Sequence, residues 1–126
     1  MRKIAIVEDA KDNRDFLYYL LRDEYQVLRY GSGEEALQSF SREVPDLIVL
    51  DIWLPDMDGV EVLNRLRQEE SLRNVPAIAL TANAMTGDRE KYLAAGFNEY
   101  VSKPIMDIDG FLTIIRRVLA ASKSLE

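Results

Sequence analysis

Residues 46–51 read Asp46-Leu47-Ile48-Val49-Leu50-Asp51, four consecutive apolar side chains closed by a single acid. A strand with one wet face alternates apolar and polar residues, whereas an unbroken apolar run of this length is how a strand covered on both faces of a parallel sheet reads. Two more runs share the pattern. Ile4-Ala5-Ile6-Val7 leads into the adjacent acids Glu8-Asp9, and Ala77-Ile78-Ala79-Leu80 leads into Thr81. A shorter run, Tyr100-Val101, leads through Ser102 to Lys103-Pro104. Together with a segment at 26–30, these place strands at 3–7, 26–30, 46–51, 76–81 and 98–102.

Helical periodicity fills the gaps. A helix over about 12–24 carries Phe16, Leu17, Leu20 and Leu21 on one stripe. A second opens at Ser32-Gly33-Glu34-Glu35, where Ser32 and Glu35 have capping-box spacing, and Asp58-Gly59-Val60-Glu61 opens a third in the same manner. A fourth, about 86–95, closes on Gly96, a good left-handed stop. The fifth starts near Asp107 and aligns Ile108, Phe111, Leu112, Ile115, Val118 and Leu119 on one face. Five strand–helix units without a break in composition predict an α/β domain, a doubly wound five-stranded parallel sheet with helices on both faces. Strand order is not legible from periodicity.

The totals narrow the function classes. The 126 residues suit one domain, expected over 1–122, with 123–126 as a tail whose Leu125-Glu126 resembles a cloning scar. Sixteen Lys and Arg against 22 Asp and Glu give a formal charge of -6. That supplies no global drive toward nucleic acid, and Arg116-Arg117 is the only seed of a basic patch. The chain has no cysteine and no histidine, which excludes thiolate chemistry, imidazole general bases and a phosphohistidine of its own. Any phosphoryl donor must be another molecule. No apolar run approaches the roughly 18 residues of a membrane span, so no membrane association is expected and a soluble cytoplasmic protein is the default.

The polar residues at the strand ends carry the chemistry, because open parallel sheets bind ligands at such ends. Glu8 and Asp9 read either as acids favouring the dipole of the following helix or as ligands of magnesium, a hard cation held by few carboxylates and several waters. The loop Glu8 to Asn13 is acidic and lacks glycine, so it would repel a phosphate. Asp51 has no helix to cap, since the next one starts some seven residues on, and a carboxylate at a strand tip beside a metal can act as a nucleophile toward phosphorus. Thr81 is a strand-former that could also donate its hydroxyl to a phosphoryl oxygen. Lys103 precedes Pro104 and is a candidate cis peptide, since X-Pro bonds adopt cis most readily. Each signal alone is ambiguous; in this order and spacing they make one pocket.

With Glu8-Asp9, the stretch Leu50-Asp51-Ile52-Trp53-Leu54-Pro55-Asp56-Met57-Asp58-Gly59, Thr81-Ala82 and Tyr100-Val101-Ser102-Lys103-Pro104 in place, the chain resembles a response-regulator receiver domain of two-component phosphorelay signalling over essentially its whole length. The resemblance implies a flavodoxin-like fold with strand order 2-1-3-4-5. It implies Asp51 as phospho-acceptor, and magnesium held by Asp9, Asp51 and the backbone carbonyl of Trp53, with Glu8 acting through water. Lys103 would pair with the phosphoryl oxygens, Thr81 would hydrogen-bond one of them, and Tyr100 would be the aromatic switch. The donor would be a sensor histidine kinase or a histidine phosphotransfer protein. The only chemistry implied is the domain's own phosphorylation and dephosphorylation, read out at the fourth helix, fifth strand and fifth helix by a downstream protein or a covalently linked output domain. No output domain follows the fifth helix here, which fits a stand-alone receiver or an excised one. A phosphorylation-dependent dimer is compatible with Asp88, Arg89, Glu90, Lys91 and Arg116, which read equally as solvated charges.

Two positions depart from the commonest family choices. Trp53 is bulky and stands beside the route of a hydrolytic water, as a shield for the acyl phosphate or as surface packing. Asn83, two residues after Thr81, is polar but uncharged. Three competing readings remain. A flavin carrier needs a Ser/Thr/Gly-rich loop after the first strand, an aspartyl phosphatase needs a second Asp where Trp53 stands, and a degenerate receiver would act as a phosphorylation-independent scaffold.

Overall fold

The computed structural model describes residues 1–82 and 85–123. In chain order the elements are β1 (Lys3–Val7), α1 (Lys11–Leu21), β2 (Gln26–Tyr30), α2 (Gly33–Phe40), β3 (Leu47–Asp51), α3 (Gly59–Gln68), β4 (Ala77–Thr81), α4 (Asp88–Ala95), β5 (Glu99–Ser102) and α5 (Ile108–Lys123), with one 3-10 turn at Glu70–Leu72. The five strands form one parallel sheet in the order β2-β1-β3-β4-β5. This is the doubly wound flavodoxin-like architecture the strand pattern and the resemblance call for.

The continuous apolar runs are explained by the two cores. Ala5, Val7, Ile48, Leu50, Ala77 and Ala79 point to the α2–α3–α4 side, against Phe40, Val62, Leu63, Leu66 and Tyr92. Ile4, Ile6, Leu47, Val49, Ile78 and Leu80 point to the opposite side, against Leu17 and Leu21 of α1 and Phe111, Ile115 and Leu119 of α5. With both faces dry, every strand position of β3 and β4 is buried. Each fully buried Leu or Ile contributes roughly 1.5–3 kcal/mol from loss of exposed apolar surface.

Several expected details shift. Helix α1 ends at Leu21 rather than 24, because Glu24 N and Tyr25 N both turn back to Leu21 O so that Gln26 can pair with Arg2 O. Phe16 leaves the buried stripe and is 40% exposed; the i, i+4 pair Leu17 and Leu21 faces the sheet, and Phe16 sits about 100° round the helix from Leu17. Ile108 is likewise exposed, one turn before the buried part of α5. Helix α4 starts two residues late, at Asp88, behind Gly87, and closes on Gly96 at φ 117°.

The predicted caps form in modified ways. Ser32 Oγ accepts from Glu35 N at 3.1 Å, but Glu35 Oε2 reaches past Ser32 to accept from Gly31 N at 3.2 Å. Asp58 Oδ1 accepts from Val60 N at 2.7 Å, one residue nearer than the box spacing. Helix α5 continues to Lys123, one residue past the expected domain end, while Asn83 and Ser124 to Glu126 lie outside the described residues. No helix among the described residues is long and apolar enough to cross a membrane.

Candidate functional site

The register of the sheet assembles the site one step at a time. Val7 pairs with Leu50, so Glu8, just past the end of β1, lies beside Asp51, the last residue of β3. Asp51 pairs with Leu80, which puts Thr81 one residue beyond it, and Thr81 pairs with Ser102, which puts Lys103 one residue beyond that. The Lys103–Pro104 peptide is cis. Lysine's long stem spans the stagger: Lys103 Nζ donates to Glu8 Oε1 at 2.7 Å and to Asp51 Oδ2 at 3.0 Å. The other Asp51 oxygen, Oδ1, accepts from Trp53 N at 2.9 Å.

Burial separates the three acids. Glu8 is 0% and Asp51 2% exposed, whereas Asp9 is exposed. A carboxylate oxygen from each can lie within 4.8 Å of the others. Three carboxylates share one ammonium, so the cluster carries excess negative charge in a partly dry setting. Burial pushes the Glu8 carboxyl up to about 7, its neighbour Asp51 adds to the shift, and Lys103 offsets part of it. Burial works against the Lys103 ammonium, but its hydrogen bonds to Glu8 and Asp51 outweigh this and raise its pKa.

A stability prediction follows from the sign of the Glu8 shift. Between about pH 4.5 and 7 the unfolded chain ionises Glu8 while the folded protein keeps it protonated, so folding stability falls as pH rises through that window. With no histidine in the chain to titrate there, metal-free protein should lose on the order of 3 kcal/mol between pH 5 and 8. Urea unfolding across that range checks it, and Glu8→Gln should flatten the dependence.

Thr81 is 0% exposed at the tip of β4. By strand parity it faces the same side as Tyr100, which pairs with Ala79. The Tyr100 ring stacks on Tyr92 of α4 with centroids 5.8 Å apart and 13° between planes. Its hydroxyl is buried without a hydrogen-bond partner among the described residues. Trp53, whose backbone N–H holds Asp51, is 58% exposed.

Two residues of this region were not singled out by the sequence. Arg14 Nη1 donates to the carbonyls of Glu8 at 2.9 Å and Asp9 at 3.3 Å, and so fixes the backbone of the acidic pair. Its signal was a cation in the first turns of a helix, where the dipole disfavours one unless carbonyls or acids lie nearby. The other is Asp56, whose carboxylate accepts from Gly33 N at 3.2 Å and Glu34 N at 2.9 Å. Its partners lie more than twenty residues away, and nothing local announces them.

The 2-1-3-4-5 sheet that carries this cluster has counterparts among known proteins. A family model for the response regulator receiver domain matches residues 4–116. The chain belongs to that family. The receiver is 40% identical over 119 residues to the polar-differentiation response regulator DivK of Brucella ovis, covering 94% of this chain and 96% of that one. It is also similar to the receiver domain of a sensor histidine kinase from Pseudomonas aeruginosa, a structure with magnesium coordinated in its active-site cleft. There the TM-score is 0.84 and the identity 38%, over 94% of this chain and 98% of that chain. A CheY-like receiver domain protein from Methanospirillum hungatei superposes with a TM-score of 0.89 at 26% identity, over 100% of this receiver and 99% of that chain.

Proposed function

We propose that this receiver domain accepts a phosphoryl group on Asp51 from a phosphohistidine of a sensor histidine kinase or a histidine phosphotransfer protein, with magnesium as cofactor. The modification is then read at the α4–β5–α5 face by a downstream protein or a linked output domain. The observation that carries this reading is Asp51 itself, a nearly buried carboxylate at the tip of β3 with an ammonium at 3.0 Å and two further acids beside it.

The donor set fits magnesium. It consists of hard oxygens only, its charge is under-compensated, and exposed Asp9 leaves one side open to the waters that this ion retains. Asp9, Asp51 and the Trp53 carbonyl would hold the ion directly, and Glu8 through water. Bound there, it would neutralise charge gathered on the carboxylates and the incoming phosphoryl group.

The chain's own residues do the rest by position and charge. A P–O bond to the Asp51 carboxylate forms as the P–N bond to the donor imidazole breaks, with attacking and leaving atoms in line. The Trp53 N–H on Oδ1 orients the carboxylate, and Lys103 follows charge from Asp51 onto the phosphoryl oxygens. The Thr81 hydroxyl turns toward one of those oxygens and vacates space for Tyr100. The Tyr100 hydroxyl supports this step, because a buried donor without a partner, as it is among the described residues, costs about 1–3 kcal/mol and a change of rotamer relieves it. Its stack on Tyr92 couples the turn to α4. The change is a population shift, limited by how differently the phosphoryl group interacts with the two states.

Incubation of wild-type protein with acetyl phosphate, with and without magnesium, followed by intact mass, tests the reading. One phosphoryl adduct that requires magnesium is expected; no adduct under either condition sinks it in favour of a phosphorylation-independent scaffold. Once the adduct is made, Trp53→Asn should shorten its half-life severalfold, because the indole blocks the approach of water to the acyl phosphate. An unchanged decay rate would reduce Trp53 to surface packing.

A further inference from the structure

We infer that Asp56 is a positioning residue for the phosphoryl-acceptor site, acting by fastening the tip of the 52–58 loop to the N-terminus of α2; this inference rests on the magnesium-dependent reading above. The loop leaves β3 at Asp51, turns through Leu54-Pro55-Asp56-Met57, and returns so that Trp53 bridges to Asp58. Its base is closed tightly. Gly59 N donates to Ile52 O at 2.8 Å, and a Cβ on Gly59 would lie 2.8 Å from Ile52 Cα and 2.9 Å from Asp51 O. Its inner leg carries the Trp53 backbone, whose N–H already orients Asp51.

At the tip, none of these contacts reaches. There the two oxygens of Asp56 accept separately from Gly33 N and Glu34 N. Those are free donors at a helix start, where an anion is also favoured by the dipole. The Glu34 N–H holds the Asp56 carboxyl below the usual carboxylate range. The packing beneath is equally close, since a Cβ on Gly33 would meet Val62 Cγ2 at 2.8 Å and Met57 Cγ at 2.9 Å. Helix α2 therefore serves as a fixed post for the loop that presents Trp53 to the site, although α2 itself contributes no group to the acid cluster.

Release of the tip loosens the Trp53 peptide, both its carbonyl and its N–H on Asp51 Oδ1, while Glu8, Asp9 and Lys103 keep their supports. Magnesium titration of wild type, Asp56→Ala and Asp56→Asn, read by the fluorescence of Trp53, the one tryptophan, tests this alongside urea midpoints. Asp56→Ala should raise the magnesium Kd about tenfold, the low end for loss of an outer-shell support. Asp56→Asn keeps one acceptor oxygen but sets an NH2 donor against the second N–H, and should fall between wild type and Asp56→Ala. An unchanged Kd in Asp56→Ala, even with lowered stability, overturns the inference. If Asp56→Ala does not fold, amide exchange at Glu34 in wild type decides. Magnesium should slow it, since coupling between sites is reciprocal, and no change overturns the inference. Wild type without any magnesium response would sink the underlying reading as well, which separates the two failures.

Discussion

Asp51→Asn is expected to take up no phosphoryl group under conditions that fully modify the wild type, as read by intact mass after acetyl phosphate and magnesium. The substitution is nearly isosteric. Asn Oδ1 can still accept from Trp53 N at the 2.9 Å position, so the loop keeps its support and the fold should persist. What disappears is the second oxygen, the one 3.0 Å from Lys103, and with it the proposed nucleophile and one anionic donor of the acid cluster. An amide nitrogen has its lone pair delocalised and does not attack phosphorus at neutral pH. The variant should also respond more weakly to magnesium. In its metal-free form Glu8 should ionise more readily, because Asp51 is one of the groups that push its pKa up. An adduct of wild-type yield on Asp51→Asn would move the acceptor elsewhere and overturn the assignment.

Lys103→Met should slow adduct formation by about 10²–10³-fold, the usual loss when a preorganised electrostatic donor is taken from a transition state. Methionine keeps most of the stem and its packing while the ammonium, only 15% exposed, is removed from both carboxylates. Charge passing from Asp51 to the phosphoryl oxygens then has no cation of the chain to meet it. The effect on folding should be smaller and depend on pH. Without the ammonium, Glu8 and Asp51 repel each other uncompensated, so Glu8 holds its proton to higher pH and the variant loses more stability at pH 8 than at pH 5. Rates of adduct accumulation, together with urea midpoints at the two pH values, check both halves. A variant phosphorylated at the wild-type rate would leave Lys103 a structural ion pair only.

Much of this molecule was legible in one dimension because burial on both faces of a parallel sheet leaves a periodicity-free apolar run. Ile4 to Val7, Leu47 to Leu50 and Ala77 to Leu80 announced their strands to within a residue. The acids, threonine and lysine at their ends marked one edge of the sheet. Less was legible where a side chain's surroundings come from other elements. Phe16 read as core by helical spacing, but the sheet meets only the Leu17–Leu21 edge of α1. The reach of Glu35 past Ser32 to Gly31 depends on the path of the loop before α2, which spacing does not encode.

The sequence by itself determined the element order, the strand ends and the residue types offered there, since these follow from local pattern and from polarity set against apolar runs. Beyond the strand order that the resemblance implied and the sheet bears out, tertiary structure alone decided the burial of Glu8 against the exposure of Asp9, the clamps of Arg14 and Asp56, and the Tyr100 hydroxyl buried without a partner among the described residues. The physical reason is common to all of these. A pKa, a fork of two hydrogen bonds or an unmet donor is a property of groups distant in sequence, fixed only when the sheet register brings Glu8, Asp51 and Lys103 to the same point.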